Sequence, residues 1–290
     1  MPCPCIVEPL KLDQKEVLTN LWRPLCLKYN LQYAEYSFAN VYLNRYLHDN
    51  QLVMGNLPLV RGRFGDGSCY LIPTSTPKKF IETFSSIMKD NDCSVFPIPD
   101  QWVEEVKSLG LKVSQERNDA DYLFHKERLA TLSGRDLSSR RNLLHQLESN
   151  YEIHSKVIEA EDLPKAMALL EDWQKQAHTT AQKNDYFATK EALESLSILG
   201  LTGRVAYIDG QCAGFSIGEI FTPTTALIHF QKARHDIKGV TPFLLQDFAK
   251  NLPQEIEWIN AEQDLGIPAL RQAKTAYHPD VLLTKWRAHY

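Results

Sequence analysis

Hydrophobic and polar positions alternate most clearly in the second half of the chain. Arg204–Ile208 alternates up to Asp209-Gly210, a pair that favours a tight hairpin turn, and Cys212–Ile220 predicts the returning strand. Thr222-Pro223-Thr224-Thr225 marks a second turn, and Ala226–Phe230 a third strand. The loop Gln231–Gly239 leads to Thr241-Pro242, where a threonine cap followed by a proline at the first helical position predicts a helix start. Phe243, Leu244, Phe248 and Leu252 then share one helical face. Glu255–Asn260 reads as a short strand, Ile267–Tyr277 as a helix opened by Pro268, and Val281–Trp286 as a last strand. The predicted order is β-β-β-α-β-α-β.

The first half repeats it. Gln51–Met54, Leu57–Arg61 and Ser68–Ile72 read as strands, and Thr76-Pro77 opens a helix to Lys89 by the same logic of cap and proline. A strand at Asp92–Phe96, a helix at Asp100–Leu109 ended by Gly110, and strands at Leu111–Arg117 and Asp121–Lys126 complete it. The repeated order predicts a structural duplication, with domains at residues 1–150 (after leading helices) and 151–290. Leu129–Tyr151 and Asp162–Gln176 have helical periodicity and are expected to join the copies, while the polar Thr179–Phe187 is expected to be a loop.

Composition narrows the function classes. The 290 residues are 43% hydrophobic, enough for two cores on a soft prior of about 150 residues per domain. Acidic residues (36) exceed basic ones (32), a net charge of −4, which disfavours a dedicated nucleic-acid binder but leaves room for a local basic groove. Arg135, Arg140 and Arg141 form one small basic cluster, either a solvated helix face or a phosphate or RNA contact. The apolar stretch from Ile220 is interrupted by Pro223, several threonines and Gln231, short of the ~18 apolar residues of a membrane span. Met1-Pro2-Cys3-Pro4-Cys5 lacks the basic and apolar regions of a signal peptide, so a cytoplasmic location is expected. The six cysteines form no CxxC pair, and a chain of this length is expected to need no disulfides. Cys3-x-Cys5 reads as a disordered tip or as a lipidation or metal fragment.

The strand and helix order resembles the GNAT (N-acetyltransferase-like) acyltransferase superfamily. In that fold the loop after the third strand holds a pyrophosphate at a helix N-terminus, where unpaired N–H groups attract anions. Arg234-His235-Asp236-Ile237-Lys238-Gly239 keeps the Arg and final Gly of that loop, with Ile237 in place of its first glycine. A more specific likeness runs through Glu257–Pro268, Leu270-Arg271, Lys274 and Tyr277-His278-Pro279. With Ala34-Glu35-Tyr36-Ser37-Phe38-Ala39-Asn40, Asp121-Tyr122-Leu123, Arg140-Arg141-Asn142 and His229–Gly239, this resembles the phosphatidylglycerol lysyltransferase C-terminal-domain family in order along nearly the whole chain. Ala261 stands where many members carry arginine. The resemblance implies an α/β protein with mixed sheets in two tandem GNAT-like domains, the active site mainly in the second. It also implies aminoacyl transfer from aminoacyl-tRNA to a lipid hydroxyl.

The residues themselves suggest where such chemistry sits. Asn260, Glu262 and Asp264 follow the carboxyl end of a strand, where α/β sites gather. Asn260 is a candidate substrate-binding residue. Glu262 or Asp264 can bind an amine or act as base, Asp264 alternatively capping the next helix. Arg271 and Lys274 share a helical face and can clamp a phosphate or pair with those acids. Tyr277 is a candidate general acid or a core aromatic. Glu219 is a candidate base if it faces the cleft. His229 and Lys232 end the third strand on different sides, the first read as packing or catalysis. Lys232, Arg234, Gly239 and Thr241 are the candidate donor or phosphate ligands.

No Walker A run, GxSxG, GxGxxG or HxxxH pair is present, and no metal or resident cofactor is expected; acyl-CoA or aminoacyl-tRNA is the possible co-substrate. Three functions follow: an aminoacyl or acyl transferase acting on an amine or lipid head-group acceptor, an acyl-CoA N-acyltransferase, and a non-catalytic GNAT-like binding module.

Overall fold

The computed structural model describes residues 6–55, 57–177 and 179–290; Cys3, Cys5 and His178 lie outside them. The strands are β1 (Ile6–Pro9), β2 (Gln51–Met54), β3 (Leu59–Arg63), β4 (Cys69–Ile72), β5 (Cys93–Ile98), β6 (Lys112–Gln115) and β7 (Asp121–His125). They continue as β8 (Ile153–Val157), β9 (Thr202–Ile208), β10 (Gln211–Thr222), β11 (Thr225–Ala233), β12 (Trp258–Asn260), β13 (Val281–Leu283) and β14 (Trp286–His289). Two seven-stranded mixed sheets result, in the orders β1-β2-β3-β4-β5-β14-β6 and β13-β7-β12-β11-β10-β9-β8. The architecture is α/β, two mixed sheets with helices between their strands.

The units do not divide at residue 150. One comprises residues 1–121, 263–270 and 282–290, the other 122–262 and 271–281. Strand pairing explains the exchange. The strand that closes the first copy in sequence, β7, pairs antiparallel with β12 in the second sheet (Ile259 opposite Phe124). β14 inserts between β5 and β6 in the first. The single last strand expected at Val281–Trp286 is therefore two strands in different sheets, broken at Thr284-Lys285.

Helix boundaries follow local chemistry. Thr76-Pro77 opens the helix Pro77–Asp90 as the pattern predicts. Thr241 does not cap the next one: Val240–Lys250 starts after Gly239, whose φ of 96° needs a residue without a Cβ, and Val240 is fully buried. The long helix expected at Leu129–Tyr151 splits into Lys126–Thr131 and Ser138–Asn150 around Leu132 and Gly134, both at positive φ. These helices pack on Val240–Lys250 within the second unit instead of joining the two copies. The expected loop Thr179–Phe187 instead enters a helix at Tyr186.

Trp22, Phe80, Leu52, Leu59 and Leu71 are buried in the first unit; the core of the second gathers Tyr122, Phe124, Leu144, Leu244, Phe248, Ile259 and Tyr277. Although a chain of this length is expected to need no disulfide, Cys69 and Cys93 are disulfide-bonded. They stand in register on the parallel strands β4 and β5, 4.5 Å apart at Cα, inside the range a disulfide spans. No described helix is long and apolar enough to cross a membrane.

Candidate functional site

The central feature of the second unit starts as a defect in strand pairing. Ile217 of β10 faces Phe230 of β11, but Gly218 faces Ile228, leaving His229 as the extra residue of a β-bulge. Bulges re-aim side chains, and this one needs Gly218: a Cβ there would lie 2.2 Å from the Leu227 carbonyl oxygen and 2.7 Å from the Phe248 ring. Glu219 follows on β10, opposite Leu227. β12 runs parallel to β11, with Asn260 beside Leu227, so the chain leaving β12 passes close to the bulge.

That exit is held in an unusual conformation. Glu262 adopts φ 60°, the left-handed region that costs a side-chain-bearing residue. The fully buried Asn260 accepts the Glu262 N–H at 2.6 Å through its side-chain oxygen. Tyr122 N–H donates to the Glu262 carbonyl at 3.2 Å, and the Lys274 ammonium donates to the carbonyls of Ala261 (2.6 Å) and Glu262 (3.2 Å). Lys274 is thus a clamp on the turn, not an outward phosphate ligand.

The turn brings Glu262 onto His229. The imidazole, 1% exposed, donates from Nδ1 to Glu262 Oε1 at 2.7 Å and from Nε2 to Glu219 Oε1 at 3.2 Å. Two carboxylates on two ring nitrogens require both N–H groups, hence an imidazolium. Burial alone would press its pKa down, but the attraction and hydrogen bonds of Glu262 and Glu219 outweigh it and lift the pKa to about 10. His229 is therefore a fixed cation at neutral pH, protonated on both nitrogens and with no lone pair free to act as a general base there. The carboxylates, 15% and 16% exposed, form the accessible rim of a cluster with net charge −1.

Other candidates lie elsewhere. Lys232 is buried, its ammonium 2.7 Å from both Asp185 oxygens and 3.8 Å from the centre of the Trp173 ring; burial lowers its pKa while Asp185 opposes the shift. Arg234 bonds Asp236 of its own loop at 3.0 and 2.6 Å and also Gln211. At the expected phosphate loop a Cβ on Gly239 would meet the Leu143 carbonyl oxygen at 2.5 Å, Ile237 is buried, and the Thr241 carbonyl accepts from Gln231. Arg271 lies partly exposed on the helix Pro268–Thr275. Tyr277 is buried in the core beneath the Arg140 guanidinium, its phenol pushed up to about 12 chiefly by burial. Asp264, in the first unit, is fully buried; it accepts the Gly266 N–H at 2.8 Å and faces Arg117 at 3.5 Å, the bonding of a turn former. Asp185 and Trp173 escaped the sequence, because nothing local links residues 173, 185 and 232.

A profile of the family described as "Phosphatidylglycerol lysyltransferase, C-terminal" matches residues 28–289. No curated protein sequence matches significantly. Among solved structures, a conserved protein of unknown function from Bacteroides thetaiotaomicron superposes with a TM-score of 0.82 at 22% identity, over 98% of this chain and 99% of that one. L-PGS from Bacillus licheniformis gives 0.64 at 12% identity, over 98% and 93%. Family and fold together are those of acyl and aminoacyl transfer.

Proposed function

The chain belongs to the phosphatidylglycerol lysyltransferase C-terminal family, and from that premise we propose that it moves an aminoacyl group from aminoacyl-tRNA to a hydroxyl or amine acceptor such as a lipid head group. The observation that carries this reading is the buried His229 imidazolium with Glu219 and Glu262 on its two nitrogens. A net-negative rim suits the ammonium of an aminoacyl group, and either carboxylate is a proton acceptor within a positioned site. In the reaction the acceptor oxygen or nitrogen bonds to the aminoacyl carbonyl carbon as the ester bond to the tRNA 3′ oxygen breaks. The acceptor's proton passes by way of a rim carboxylate to that departing oxygen. Asn260 and Lys274 hold the Glu262 turn while this happens.

The competing acyl-CoA reading loses support from the loop Arg234–Gly239, where Asp236 takes the arginine and Leu143 crowds the glycine. Radiolabelled aminoacyl-tRNAs offered with lipid extract and with small amines test the proposal: transfer above blank is expected for at least one charged tRNA, and none with any would refute it. Calorimetric titration with acetyl-CoA is expected to give a Kd weaker than about 1 mM. A non-catalytic binding module would show no turnover for Glu262→Ala to abolish.

A further inference from the structure

Adjacent arginines at the start of the helix Ser138–Asn150 have opposite surroundings. Arg141 donates to the carbonyl oxygens of Leu132 and Gly134, and so fixes the turn before the helix. Arg140 extends over the ring of Tyr277, its guanidinium carbon 5.1 Å from the ring centre. Its Nε–H is buried with no acceptor, and among the described residues no carboxylate or carbonyl meets its other nitrogens. The acids nearby are already engaged: Arg128 pairs with both Asp136 and Asp280, and Asp280 also accepts the His125 N–H. A half-buried guanidinium, placed over an aromatic ring and without a protein anion, is an incomplete site, because its fork of N–H donors is shaped to grip a tetrahedral or planar oxyanion.

We propose that Arg140, seated on Tyr277, is the anion-binding residue of a subsite in the second unit for one phosphate or phosphodiester group of a small ligand. Phosphate oxygens at the open end of the fork bond the terminal nitrogens and supply the acceptor this edge of the guanidinium lacks. The Tyr277 ring, packed in the core, prevents the arginine from swinging away and adds a cation–π contact. A single group is favoured because Arg141 is held by carbonyls and Arg234 by Asp236, so neither extends a basic track from Arg140 as an RNA backbone would require. The subsite goes beyond the proposed transfer reaction and does not depend on which acyl group moves.

Binding is read without turnover, so the two ideas fail separately. Inorganic phosphate, glycerol phosphate and vesicles with and without phosphatidylglycerol are titrated into the full chain, with NMR of Arg Nε–H and calorimetry as readouts. Saturable binding with a shift of one Arg Nε–H resonance is expected, weakened at least about tenfold by Arg140→Gln and only partly by Arg140→Lys, which keeps charge but loses the fork. Arg135→Gln is expected to change nothing. Tighter binding of glycerol phosphate than of inorganic phosphate, with vesicle binding dependent on Arg140, identifies a lipid head group; equal binding of the soluble probes with no vesicle effect identifies free phosphate. Both support the subsite. Phosphate binding that is absent in the native chain, or unchanged in a folded Arg140→Gln chain, would overturn it. So would binding of uncharged tRNA alone, with a salt slope of several charges.

Discussion

Each unit buries one cation between two carboxylates, and the two clusters differ in what surrounds them. In the first unit the Lys285 ammonium lies 2.6 Å from both Glu35 Oε1 and Asp121 Oδ1, with side-chain exposures of 0%, 6% and 0%. Asp121 also accepts the Ala34 N–H, while Glu35 Oε2 is buried without a partner. In the second unit the cation is equally buried, but Glu219 and Glu262 reach solvent. Charge alone therefore does not separate a structural cluster from a reactive one, since both carry −1 when fully ionised. A sealed cluster ties residues 35, 121 and 285 together across the sequence and offers a substrate nothing. An open one spends a strained Glu262 and a bulged His229 to present carboxylates, the kind of cost that functional sites retain.

The sharpest way to break this contrast is to neutralise one acid on each side. Glu262→Gln is expected to lower aminoacyl transfer by roughly 10²–10⁴-fold, with the His229 titration shifted downward and the urea midpoint lowered. Glu35→Gln should leave transfer within about threefold, on the scale where tenfold is 1.4 kcal/mol. Removing the sealed cation comes next. Lys285→Met strands two buried carboxylates and is expected to cost about 3–5 kcal/mol in urea unfolding. A loss below about 1 kcal/mol, the scale of an exposed pair, would show that the first cluster is not the tie described here.

The clusters also separate in pH. Burial, aided by Asp121 and opposed by Lys285, lifts Glu35 to about 7, above its ordinary 4.5. A raised folded-state pKa contributes stability that is complete below the unfolded value and lost as pH climbs through the folded one. Glu35 should therefore erode stability between about pH 4.5 and 7, by on the order of 3 kcal/mol, a slope that Glu35→Gln removes. For His229 the same sign applies in a later window, from 6.5 to about 10. A moderate effect is expected for Lys274→Met, which loosens the turn without touching a carboxylate: about a tenfold fall in kcat with the His229 titration shifted downward, measured by steady-state transfer and NMR.

Much of the element order could be read from local pattern, because caps and turns are local. Asp209-Gly210 does turn the chain, both residues at positive φ, and Thr76-Pro77 does start a helix. Thr241-Pro242 misled because Gly239, two residues earlier, takes the capping conformation. Strand exchange was hidden because the partners of β7 and β14 lie far away in sequence, and the break at Lys285 follows from its need to reach Glu35 and Asp121. Within the site, His229 and Glu219 are recognisable as polar residues in apolar strands, and Glu262 as a carboxylate just past a strand's carboxyl end. Their convergence depends on a bulge and a left-handed turn, which no alternation pattern encodes. Asp264 shares the spacing of Glu262 yet serves a turn, a distinction set by which way each residue faces.

The protonation of His229 tests the account most directly, because the open cluster rests on an imidazolium bridging two acids. Nitrogen NMR of the labelled ring should show both nitrogens protonated from neutral pH up to about 9, with titration near 10. A neutral imidazole already present at pH 8, titrating near the unperturbed 6.5, would contradict it.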